Sequence, residues 1–298
     1  MNTEKLFLVK DSEMNFDFCM TEEHSEYCLQ YVLFSRLIQE IQQLFSAFQF
    51  NLQQLEDYCI VYYNDKVISK KTGQSIVPIE INVLTVNIIS AGKSLVETIE
   101  LFLKNYMSDI ASDFKKNSLS EKYDSNFNYR FGLFLRNFSQ HGHLCICNSS
   151  DGGFAFDIDQ ILCTPHYNFN NAMEKELQNI NNEVLEKYGK IPTLSYVKVM
   201  EQYTLSIYEI YVQYYAFIKD KVSEWNVGIQ SMLKDNPDYI IVSNEALEGA
   251  VPFDLADDGG VSIFYSSDNF WNMYIDFQKE AKNYLKEYKR IIERESIK

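Results

Sequence analysis

Apolar residues recur three or four apart from Glu23 to Tyr58, at Leu29, Val32, Leu33, Leu37, Ile41, Leu44, Phe45, Phe48 and Leu52, and this spacing predicts a long amphipathic helix. A polar stretch, NDKVISKKTGQSIVP, reads as a loop or short hairpin before a second helix opens near Pro78. That helix runs from Ile79 to about Phe114 through Val83, Val86, Ile89, Leu95, Ile99, Leu101, Phe102 and Tyr106. The polar run KKNSLSEKYDSN is expected to break it, and a shorter helix, Phe127 to His141, ends against Gly142. The segment HLCICNSSDGGFAFDIDQILC alternates around an Asp-Gly-Gly turn and predicts a β-hairpin. Two more helices are expected, Asn168–Tyr188 and Pro192 to about Leu233, the second with Tyr203, Ile207, Tyr208, Tyr211, Tyr215 and Ile218 on one stripe, expected to be core or a subunit interface. Two or three short strands are expected in DYIIVSNEALEGAVPFDLADDGGVSIFYS, then a closing helix from Asn269 to about Ser296. The pattern is that of a mainly α protein: a helical bundle with a small β-hairpin, and a helical C-terminal half carrying a few short strands. Residues 1–166 form the helical core and hairpin. Residues 167–298 form a mostly helical region, either separate or packed as one unit with the first, since no linker marks a boundary.

Composition narrows the class. A 46% apolar share over 298 residues buries a sizeable core, and 42 acids against 27 bases leave a charge of −15. Such a surface does not coat nucleic acid by bulk positive potential, although a local site remains open. The N-terminal stretch lacks the apolar run of a signal peptide, and no window approaches eighteen uninterrupted apolar residues, so no membrane span is expected. Six cysteines without an export signal read as reduced thiols. The expected compartment is the cytoplasm.

Charge is unevenly spread. Residues 101–150 carry six Lys/Arg against four acids, whereas residues 151–298 carry fourteen against twenty-four. The window 125–150 holds no acid at all, only Arg130, Arg136 and two of the four histidines, and is the first place to look for a bound anion. It contains Arg136-Asn137-Phe138-Ser139-Gln140-His141 at the end of the short helix. This stretch resembles the signature of the HEPN superfamily: Arg, a polar residue often Asn, three variable residues, then His, near the end of a helix in an all-α bundle. The resemblance covers roughly residues 22–145. Composition alone yields roughly 0.006 Arg-Asn-x3-His matches in this chain by chance.

The resemblance implies a metal-independent endoribonuclease, active as a dimer, of the kind found as toxins and antiphage effectors, with RNA as substrate, no cofactor, and an antitoxin or defence-system protein as a further partner. The residue types suit that chemistry. RNA is cut without metal when its 2′-hydroxyl attacks the adjacent phosphate, which needs a proton acceptor, a proton donor and positive charge near the phosphorane. His141 can accept or give a proton near neutral pH. Arg136 stays charged and its fork matches phosphate oxygens, and Asn137 is an orienting hydrogen-bond group. Residues five apart on a helix are roughly 140° apart around its axis. Either the helix loosens at His141 or a second protomer completes the site across a two-fold axis. Ser90, Lys93 and Glu97, on one face of the 79–114 helix, and Arg130 are weaker candidates to border the substrate.

Other readings stand beside this one. His141 can simply favour the dipole at its helix end with Arg136 as a solvated surface residue, or the fold can serve as a non-catalytic accessory module binding a protein partner or RNA. His143, Cys145 and Cys147 share a strand face, with Cys163 and His166 across the hairpin; this is a weak metal-ligand alternative, and core packing is the commoner fate of such cysteines. Asp254, Asp257 and Asp258 before two glycines read as an Asp-rich turn.

Overall fold

The computed structural model describes residues 6–10, 18–19, 38–60, 77–139, 144, 146–149, 153–164, 171–188, 192–234, 239–243, 263–264 and 267–295. In chain order these are strands β1 (Leu6–Lys10) and β2 (Phe18–Cys19), helix α1 over residues 38–60, α2 (Ile79–Tyr106), α3 (Ser108–Phe114), a π-helical segment (Lys115–Ser120), α4 (Glu121–Ser125) and α5 (Phe127–Ser139). Then come β3 (Ile146–Asn148), β4 (Phe154–Asp157), α6 (Ile158–Cys163), α7 (Asn171–Tyr188), β5 (Thr193–Ser195), α8 (Tyr196–Lys234), β6 (Tyr239–Ser243), β7 (Ile263–Phe264) and α9 (Ser267–Glu295). The protein is mainly α, with a small three-stranded antiparallel sheet of order β3-β4-β5 and a second sheet of order β2-β1-β6-β7.

Two compact units emerge: Met1–Glu40 with Tyr215–Lys282, and Ile41–Tyr214 with Asn283–Lys298. In the first, β1 pairs antiparallel with β6 from Leu6 opposite Ser243 to Lys10 opposite Tyr239. Its helical part is pinned by Tyr274, a buried ring of α9 whose hydroxyl donates to the Tyr215 carbonyl at 2.6 Å and which stacks on Trp271.

The second unit is built on α8, whose apolar and tyrosine positions repeat at helical spacing and are buried at Tyr203, Ile207, Tyr208, Tyr211 and Tyr214. Around it lie α1, α2, α5 and the end of α9. Phe45 of α1 stacks on Tyr211 with ring centroids 3.8 Å apart, and Tyr288 of α9 meets Tyr208 edge-on. The tightest joint is among α2, α5 and α8. Tyr203 enters a notch left by two glycines: a Cβ at Gly132 would lie 2.3 Å from the Tyr203 ring, and one at Gly92 would lie 2.8 Å from its hydroxyl. That hydroxyl donates to the Ile89 carbonyl at 2.8 Å. Asn126 caps α5 by accepting from the Tyr129 amide at 3.1 Å, while its own amide donates to Ser206 of α8. The joint therefore fixes both the axial position and the start of α5.

Several elements depart from expectation. The polar run after Phe114 does not break the helix: it continues as the π segment and α4, with Ser118 buried. Lys and Glu are good helix formers, and here the ammoniums of Lys115 and Lys122 reach Glu100 and Glu209. The interruption comes earlier, at buried Met107, whose φ of −142° and ψ of 53° leave the helical region. The hairpin forms in register Ile146 opposite Phe156, but residues 158–163 turn into a short helix because the Asp157 carboxylate accepts from the Gln160 amide. β5 adds an unexpected third strand, and α8 starts at Tyr196 rather than Pro192. The 64–76 segment and the Asp254–Asp258 turn lie outside the described residues.

By length and composition α2 is apolar enough to cross a membrane, a property that core helices share. Here one face of it, including Ile81, Ile88, Ile89, Leu95 and Ile99, is buried within the protein.

Candidate functional site

The carboxyl end of α5 carries the Arg-Asn pair. Phe131, Phe134, Leu135 and Phe138 are buried along one face of this helix and Tyr129 is buried on the other side of its first turn, while in the last turns Asn137 is exposed and Arg136 half-buried. The last turn is closed by Ser139, whose hydroxyl donates to the Arg136 carbonyl at 2.9 Å and so satisfies one of the helix's orphan acceptors. His141 lies outside the described residues.

Packing of α5 against α2 brings Asn137 to Lys93. The Lys93 ammonium donates to the Asn137 side-chain oxygen at 3.1 Å, and the Arg136 guanidinium donates to the same oxygen at 3.3 Å. Lys93 also pairs with Glu97 at 3.5 Å. Four of the residues singled out by sequence, Lys93, Glu97, Arg136 and Asn137, thus form one cluster. Ser90 is half-buried three residues before Lys93 on α2.

Two cations sharing one acceptor sit within about 6 Å of each other, a repulsion of ~0.7 kcal/mol in water and ~3 kcal/mol at an effective dielectric constant near 20. Glu97 offsets part of it. The carboxyl end of α5 adds roughly half a negative charge, which favours Arg136 there and opposes an anion. The cluster still carries two positive charges against one negative, so one phosphate is the natural scale of anion it can hold.

Arg130 is engaged by the protein itself. Its guanidinium donates to the Tyr123 and Asp124 carbonyls at 2.7 and 2.8 Å and to Glu176 at 2.7 Å, and it lies over the Tyr123 ring. It locks the end of α4 against α5 and α7. Cys147 is half-buried on β3, where burial, reinforced by Asp157, pushes its thiol above the usual value and away from the thiolate that a metal requires. Cys163 is exposed at the end of α6, and His143, Cys145 and His166 lie outside the described residues. Among the described residues no group of three His, Cys, Asp or Glu side chains is placed to hold a metal ion.

Comparison with family models, with curated proteins and with solved structures finds no match to this chain. The HEPN resemblance therefore rests on the motif and on the helices that carry it.

One feature of the neighbourhood had no sequence signal. The π segment widens the helical turn; Lys115 and Leu119 within it, and Tyr123 and Asp124 after it, line a cleft of about 330 Å³ together with Glu97, Glu100 and Tyr129. Glu100 pairs with Lys115 across it. Burial, with Glu100 close by, holds the Tyr129 phenol well above its ordinary value, so it remains a neutral donor.

Proposed function

We propose that the chain is a metal-independent endoribonuclease of HEPN type, acting as a dimer in the cytoplasm as a toxin or antiphage effector. The observation that supports this reading best is the shared acceptor at the end of α5, where Arg136 and Lys93 converge on Asn137. In this mechanism the 2′-oxygen attacks the adjacent phosphorus. The new P–O2′ bond forms as the P–O5′ bond breaks, giving a 2′,3′-cyclic phosphate and a free 5′-hydroxyl. One proton leaves the 2′-hydroxyl and one is delivered to the departing 5′-oxygen. His141 handles a proton at neutral pH, for a gain of about 10² to 10⁴. Arg136, with Lys93, stabilises the charge that builds on the phosphorane oxygens, and Asn137 spaces the two cations. A two-fold axis would bring two copies of His141 to one cleft, one to accept and one to give.

The test is cleavage of RNA by the purified chain in EDTA. Wild type should cut, and His141→Ala or Arg136→Ala should lose at least about 100-fold in rate. Wild type inert toward every RNA class, or a His141→Ala variant as fast as wild type, rules the reading out.

A second reading is a non-catalytic HEPN-like module that binds a protein partner or RNA. The Lys93–Glu97 pair favours it, because it neutralises one of the two cations. It predicts RNA or protein binding without cleavage, and unchanged binding in His141→Ala.

A further inference from the structure

The cleft beside the Arg136–Asn137 cluster has a lining of mixed chemistry. Lys93 and Lys115 supply donors, Glu97, Glu100 and Asp124 supply acceptors, and Tyr123 supplies an aromatic plane. Charges nearly cancel, with one negative in excess. That balance repels a phosphate, and no arginine is among the lining residues described. A space of about 330 Å³ lies at the small end of ligand sites. It suits a flat heterocycle with its sugar, and the ring of Tyr123, 37% exposed and held by Arg130, offers a surface to stack on.

The donor and acceptor pattern selects among bases. Guanine presents O6 and N7 as acceptors next to the N1–H and N2–H₂ donors, so one edge can meet an ammonium and a carboxylate at once. The Glu100–Lys115 pair offers that combination, and as a solvent-exposed pair it loses little by being shared. Uracil has a comparable N3–H and O4, but its O2 would face a carboxylate with a lone pair. Adenine and cytosine carry a single amino donor beside a ring acceptor. Lys93 belongs to both places, lining the cleft and donating to Asn137.

We infer that this cleft is a guanine-selective nucleobase pocket that seats the base next to the phosphate held by Arg136. The inference rests on the ribonuclease reading and specifies its substrate. The experiment is calorimetric titration of the full chain, in EDTA, with the four ribonucleoside 3′-monophosphates, alongside Glu100→Gln and Lys115→Met. Guanosine 3′-monophosphate should bind at least about tenfold tighter than the other three. Each variant should lose that preference while melting with the wild type. Equal binding of all four, no binding, or a preference that survives both variants overturns the pocket. A saturating guanine-containing tetramer with methylated 2′-oxygens, which cannot be cut, should exclude the mononucleotide; simultaneous binding overturns the shared placement. Mapping of RNA cuts by the same wild-type protein separates the two claims. Cuts without regard to guanine sink the pocket and leave the nuclease standing, whereas guanine-selective binding with no cuts sinks the nuclease and leaves a guanine-nucleotide site.

Discussion

Gly132→Ala adds one methyl group at the joint of α2, α5 and α8 that positions Arg136, Asn137 and Lys93. The new Cβ would stand 2.3 Å from Tyr203 Cδ2 and 2.9 Å from Cε2, against an ordinary contact of about 3.5 to 4.0 Å. The ring must retreat by more than about 1 Å, yet Tyr203 is fully buried with Gly92 and Ile207 close by. Overpacking of this kind costs about 1–3 kcal/mol. The same displacement takes the Tyr203 hydroxyl out of reach of the Ile89 carbonyl, now 2.8 Å away, and leaves a buried donor unpaired for about 1–3 kcal/mol more. Helix propensity returns about 1 kcal/mol. The net expectation is a loss of about 3 kcal/mol, within about 1–5 kcal/mol, read by urea unfolding followed by far-UV circular dichroism. In a Tyr203→Ala background the same substitution should cost little, giving a coupling of at least about 1 kcal/mol. A Gly132→Ala protein as stable as wild type, or additive costs in the double mutant, refutes the notch.

Single contacts yield further expectations. Arg130→Met removes the Glu176 ion pair and both carbonyl bonds at the end of α4, and should cost about 2 kcal/mol in the same urea assay; no loss contradicts the locking role. For Glu209, burial pushes the carboxyl up, but the hydrogen bonds and charges of Lys122 and Lys289 outweigh it and leave the value below normal. That stabilisation is present above the unfolded value near 4.3 and disappears as pH falls through the lower folded value, so stability should fall more between pH 7 and pH 3 in wild type than in Glu209→Gln. Burial pushes the Tyr208 phenol up to about 12, with Gln49 pulling it partly back. Its contribution is complete below about pH 10 and is lost as pH rises through the folded value; Tyr208→Phe should flatten this alkaline decline, and identical alkaline profiles would count against it.

The sequence carried the helices because their apolar periodicity records which face is buried, as the tyrosine stripe of α8 and the stripe of α2 illustrate. It misled where polarity was taken for a loop. Lys115 to Ser125 is helical, with Lys115 and Lys122 in ion pairs and Lys115, Ser120, Tyr123 and Asp124 lining a cleft, and polarity marks exposure without marking a turn. The Tyr203 notch was illegible because a glycine chosen for close approach looks like any other until its partner is placed against it. Strand β1 finds β6 across most of the chain, a pairing that no local pattern announces. Of the candidate site, helical spacing already placed Lys93 and Glu97 on one face, while their meeting with Asn137 required the packing of α5 on α2.

Cleavage by 2′-hydroxyl attack through His141 and Arg136 leaves its mark on the ends of the products. RNA incubated with wild type in EDTA should yield fragments bearing a 2′,3′-cyclic phosphate and a 5′-hydroxyl by mass spectrometry, and His141→Ala should yield none. Fragments with 5′-phosphates, cleavage that requires added metal, or cyclic phosphates produced equally by His141→Ala would contradict it.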